Sequence, residues 1–147
     1  MNTFIETNID RFTEMGRVLA RRVEGHRENR RLFFEAARLQ VEDGESDGMV
    51  RHRLYPIIDD LAPQPQDPGL AGAEAAYVEA IEAGIRGADL PFDDRDPVDL
   101  VKPILQEFAT GLLSGGMSRD DAREVVEAAI NAFRDADAST SEVDSNG

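Results

Sequence analysis

The chain has no cysteine and no tryptophan, and Lys102 is its only lysine. Without thiols it cannot build a zinc ribbon, a thiol nucleophile, a cysteine-attached haem or a disulfide framework. No apolar run approaches the ~20 residues of a membrane span, and Met1-Asn2-Thr3 leads directly into an acidic amphipathic segment without a signal-peptide pattern. These absences point to a soluble cytoplasmic protein, or to a component of a particle assembled inside the cell. Phosphate-cradling glycine loops of the G-x-x-x-x-G-K-[ST] and G-x-G-x-x-G types are missing too. The six serines lie in expected caps, turns or the tail, and none sits in a G-x-S-x-G elbow.

What the chain has in excess is acid. Thirty Asp and Glu against sixteen Arg and Lys leave a net charge of −14 over 147 residues, a length that serves for one domain. Fifteen of the sixteen cations are arginine. Arginine is more weakly hydrated than lysine and pairs carboxylates through a planar fork. Dense carboxylates with almost no lysine suggest adaptation to molar salt, where a Debye length of about 3 Å screens the self-repulsion of the surface. A halophilic source is the expectation.

The charge is unevenly placed. Residues 1–53 carry ten Arg and ten acids, whereas residues 54–147 carry six basic and twenty acidic groups and hold the whole surplus. Between Arg11 and Arg38, eight Arg face four Glu, a local excess of +4.

Periodicity predicts an all-α fold. Thr3-Phe4-Ile5-Glu6 has the T-x-x-E capping box, and Ile5, Ile9, Phe12, Gly16, Leu19 and Val23 follow at helical spacing. The apolar pattern lapses over Glu24–Arg31 and resumes at Leu32, Phe33, Ala36, Ala37 and Val41. One helix of that length either projects to meet a partner or bends near Gly25, since an interior glycine costs about 1 kcal/mol relative to alanine. Residues 1–44 are therefore expected to form an N-terminal amphipathic, Arg-bearing helix.

Residues 45–134 read as two related helical hairpins, about 48–89 and 95–137. Leu54 to Ala62 aligns with Val101 to Ala109 at an offset of 47, and Val78-Glu79-Ala80 aligns with Val126-Glu127-Ala128 at 48. Pro56 and Pro103 correspond, which predicts matched kinks or fresh helix starts. Asp96-Pro97 and Ser118 are expected helix starts, and Gly115-Gly116 an expected stop. The two hairpins are expected to pair as a four-helix bundle about a pseudo-two-fold axis. Residues 135–147 lack apolar periodicity and are expected to be a disordered acidic tail.

Little in the sequence points to catalysis, a metal or a cofactor. His26 and His52 lack the Glu-x-x-His spacing of bundle metal sites, having Val23 and Met49 three residues before them. The acidic run Asp93–Asp99 fails the EF-hand spacing, and helix capping and solvation account for its carboxylates. The expectation is a non-enzymatic interaction or assembly protein, an adaptor or structural subunit, that self-associates or docks a protein partner. Its docking stripe would be Ile5, Ile9, Phe12, Leu19 and Val23, with Arg17, Arg21, Arg27, Arg30 and Arg31 pairing carboxylates around it. The alternative is a nucleic-acid-associated regulator using residues 21–31. Molar salt weakens phosphate contacts, and the acidic remainder repels a polyanion. No small-molecule substrate is indicated.

Overall fold

The computed structural model describes residues 3–61, 69–91 and 95–146, with side chains described between residues 10 and 138 of those stretches. The capping box at Thr3 and Glu6 and the side chains of Ile5 and Ile9 lie outside them. Five helices follow in order: α1 (Thr3–Glu42), α2 (Asp47–Asp60), α3 (Ala73–Arg86), α4 (Pro97–Ser114) and α5 (Arg119–Asn146). No strand occurs among the described residues.

Local chemistry sets the boundaries. The backbone N–H of Met49 donates to Ser46 Oγ at 3.2 Å, that of Val98 to Asp96 Oδ1 at 3.0 Å, and that of Asp121 to Ser118 Oγ at 3.2 Å. Each satisfies a donor that the first helical turn leaves without a partner. Gly87, at φ 71°, and Gly116, at φ 98°, take the left-handed conformation that ends α3 and follows α4. Helices α2 and α4 run through Pro56 and Pro103 without a fresh start.

The four-helix bundle expected of the two hairpins is not the arrangement found. No helix of α2–α3 lies against one of α4–α5; both hairpins lie against α1. One core joins Phe33 and Ala37 of α1 to Val50, Leu54 and Ile58 of α2 and to Tyr77, Ile81 and Ile85 of α3. The other joins Leu19, Ala20 and Val23 of α1 to Leu100, Val101 and Leu105 of α4 and to Ala129 and Phe133 of α5. A helix of 40 residues, roughly 60 Å at 1.5 Å per residue, is long enough to serve both. That is why α1 stays unbroken through Gly25: each half is covered by its own hairpin.

Two glycines bring helices into close contact. A Cβ on Gly16 of α1 would stand 2.6 Å from Ala132 Cβ and Phe133 N, and one on Gly84 of α3 would stand 2.5 Å from Phe34 O. Several residue pairs that the sequence aligns between the two hairpins are buried in both. Leu54 and Val101, Ile58 and Leu105, Tyr77 and Val125, Ile81 and Ala129, and Ile85 and Phe133 are all buried.

The disordered tail is also corrected, because α5 continues to Asn146. Ala136 packs on the second core, and Arg27 Nη1 donates to Asp137 Oδ1 at 2.9 Å. Those contacts carry α5 past Arg134 into a stretch, residues 135–146, that contains neither glycine nor proline.

Candidate functional site

The expected docking stripe is already occupied. Phe12, Leu19 and Val23 are 6%, 2% and 0% exposed, and Leu19 and Val23 belong to the core shared with α4 and α5. The front half of α1 therefore does not carry more apolar surface than its own hairpins shelter at these three positions. Ile5 and Ile9 lie outside the described side chains.

The stripe also does not lapse at Glu24. Phe12, Gly16, Leu19, Val23, His26, Arg30, Phe33 and Ala37 are all buried, at alternating steps of four and three. Where the apolar residues stop, His26 (3% exposed) and Arg30 (8%) take their places. They form a polar belt between the two cores.

The belt is bonded to α3 and to the α3–α4 connection, and Arg27 beside it reaches α5. Tyr77 Oη lies 3.0 Å from His26 Nδ1, and Asn29 Nδ2 donates to the same hydroxyl at 3.4 Å. The Tyr77 hydroxyl thus ties His26 and Asn29 together at one point of the belt. Burial pushes the Tyr77 pKa up, and the Asn29 bond works in the opposite direction. Arg30 Nη2 donates to Pro91 O at 2.8 Å and lies 3.9 Å from Glu79. Arg27 reaches Asp137 of α5, as described above, and Glu24 at 3.6 Å.

Two of the five candidate arginines are thus engaged inside the protomer, contrary to their expected place around a docking stripe. Arg27 and Arg30 hold α5 and the α3–α4 connection on α1. The other three sit on the exposed face and pair within α1: Arg17 and Arg21 with Glu14 at 3.7 and 3.2 Å, and Arg31 with Glu28 at 2.7 Å.

Beside the belt opens a cleft of about 570 Å³. Its α1 wall carries Arg22, Gly25, His26 and Asn29; Ile58 and Leu61 come from the end of α2, and Leu70 and Tyr77 close the far side. Sequence reasoning missed this cleft. Its signal was the uninterrupted spacing through His26 and Arg30, which marks polar residues holding core positions.

A second cluster, also missed, fastens α2 to α3. Arg51 grips Glu82 through Nε and Nη2 at 3.0 and 2.8 Å, and the Tyr55 hydroxyl donates to Glu82 Oε2 at 2.6 Å. The Arg51 hydrogen bonds hold the Glu82 carboxyl below its ordinary range, against the opposing effect of burial and with further help from Tyr55. Burial raises the Tyr55 pKa, and the bond to Glu82 adds to the rise.

Among the described residues no three His, Asp or Glu side chains converge to hold a metal ion, and no helix is long and apolar enough to cross a membrane. No family model matches this sequence, no curated protein matches it and no solved structure matches it.

Proposed function

We propose that the chain is a non-enzymatic α-helical interaction protein, an adaptor or structural subunit from a halophilic source, that acts in the cytoplasm or in a particle assembled there. Its docking surface is the outer edge of α1 and α2, on the side of α1 away from the stripe of Phe12, Leu19 and Val23.

The observation that supports this is where the exposed apolar side chains fall. Of seven large apolar residues that stay exposed among the described residues, six lie on α1, α2 or the α2 C-cap: Val18, Leu32, Leu39, Met49, Ile57 and Leu61. Leu32 and Leu39 are the most exposed, at 53% and 52%. Val18, Leu32 and Leu39 lie at multiples of seven residues and so along one edge of the helix. Large apolar side chains left exposed along one edge of a helix are the kind of surface that a partner covers. The matched burial of the two hairpins supports reading them as duplicated units hung on one spine. The regulator reading is weakened because Arg27 is paired with Asp137 and Arg30 is buried against Pro91 O.

Sedimentation of the wild type and of the Leu32→Glu/Leu39→Glu double variant, in KCl at which both are folded, tests the proposal. A wild-type complex that the double variant dissociates supports it. An unchanged complex, or a wild type that is monomeric and without a partner, overturns it.

A further inference from the structure

Gly25 stands in the middle of an unbroken helix, at a position where alanine would be about 1 kcal/mol more favourable. The two close helix contacts described above explain Gly16 and Gly84, because a Cβ at either would collide with backbone. Gly25 has no such explanation: a Cβ built there meets nothing within 4 Å. It lines the cleft beside the polar belt, so its missing side chain leaves room at that wall.

The rest of the cleft has the composition of a small-molecule site. Ile58, Leu61, Leu70 and the Tyr77 ring offer apolar walls, and its volume of about 570 Å³ falls within the range of ligand pockets. Polar groups gather on one side. Arg22, His26 and Asn29 stand on consecutive turns of α1, and the His26–Tyr77–Asn29 hydrogen bonds fix two of them in place. An arginine and an amide at one end of an apolar cleft offer N–H donors to an acceptor group.

We propose that this cleft binds a compact molecule with an aromatic or branched apolar body and an acceptor group, such as a carboxylate or sulfonate, at one end. The body packs against the bare backbone at Gly25 and the acceptor group faces Arg22 and Asn29. The cleft shares Leu61 with the exposed apolar set, whereas Leu32 and Leu39 do not line it.

The probe is 8-anilinonaphthalene-1-sulfonate, titrated into the full-length folded protein while far-UV circular dichroism monitors helix content. The wild type is expected to bind one probe per chain saturably without loss of helix. Gly25→Leu fills the cleft wall and is expected to weaken binding at least tenfold. Gly25→Ala adds a single methyl group in open space, folds with a higher melting temperature and is expected to weaken binding about threefold, so the test survives if Gly25→Leu does not fold. Leu39→Glu, outside the cleft lining and further along α1 from Asn29, is expected to keep wild-type probe affinity, which separates cleft binding from docking at that end of the edge. A folded wild type without saturable binding, or Gly25 variants that bind within twofold of wild type, overturns the proposal.

Discussion

Tyr77 of α3 and His26 of α1 are joined from hydroxyl to Nδ1 at 3.0 Å, with ring centroids 5.0 Å apart. The Tyr77 ring also lies 5.2 Å from Phe33, so the same residue closes the first core and anchors the polar belt. Tyr77→Phe keeps the ring and removes only the hydroxyl. Because that removes the hydroxyl partner of a buried imidazole nitrogen, the variant is expected to lose about 1–3 kcal/mol in urea unfolding. Wild-type stability in Tyr77→Phe would show that the bond contributes nothing net.

Glycine-to-alanine changes in α1 are expected to have opposite signs. At Gly16 the new Cβ meets backbone of α5 at 2.6 Å and 2.7 Å, and overpacking of this kind costs typically about 1–3 kcal/mol. At Gly25 it meets nothing, and the helix gains about 1 kcal/mol. Urea midpoints of the two variants, measured at one salt concentration, check both signs together.

Much of this architecture was legible in the residues. Asp96-Pro97, Ser118 and Gly116 mark helix ends by local chemistry, and the alignment of Leu54 with Val101 and of Ile58 with Leu105 identifies positions that the fold buries. The partners of those stripes were not legible. Helical periodicity says which face is apolar and nothing about which other helix covers it, so pairing hairpin with hairpin was as consistent with the pattern as hanging both on α1. The polar belt was missed for a different reason. His26 and Arg30 keep the spacing of the core but not its polarity, and only tertiary partners such as Tyr77 and Pro91 O make their burial tolerable.

Acid is expected to loosen α2 from α3. The Glu82 carboxyl is held below its ordinary value near 4.5, so its interactions with Arg51 and Tyr55 contribute stability that is complete above that value. The contribution disappears as pH falls through the lowered value, where the folded state takes up the proton. Unfolding free energies of wild type and Glu82→Gln are therefore expected to differ most near neutrality and to converge at acid pH. A difference that grows on acidification would contradict this sign.

Salt dependence follows from charge. The surplus of acid lies in residues 54–147, so the two hairpins carry most of the repulsion that salt must screen. Helicity and the thermal midpoint are expected to rise steeply between about 0.1 M and about 2 M KCl. Equal folding at both concentrations would remove the halophilic reading.

The inner and outer faces of α1 are expected to respond differently to one chemical change. Leu19→Asp places an uncompensated charge at a position that is 2% exposed, and about 3–5 kcal/mol is the expected loss. Leu32→Asp places the same charge at a position that is 53% exposed, and the fold is expected to survive it. Thermal melts of the two variants decide the matter.

The most direct test of the docking edge is the mass of the protein in solution, alone and with partners recovered by affinity capture, at a KCl concentration where it is folded. The wild type is expected to be heavier than one chain, and Leu32→Glu/Leu39→Glu to reduce it to a folded monomer. A wild type that is monomeric and captures nothing, or a double variant with undiminished mass, would contradict it.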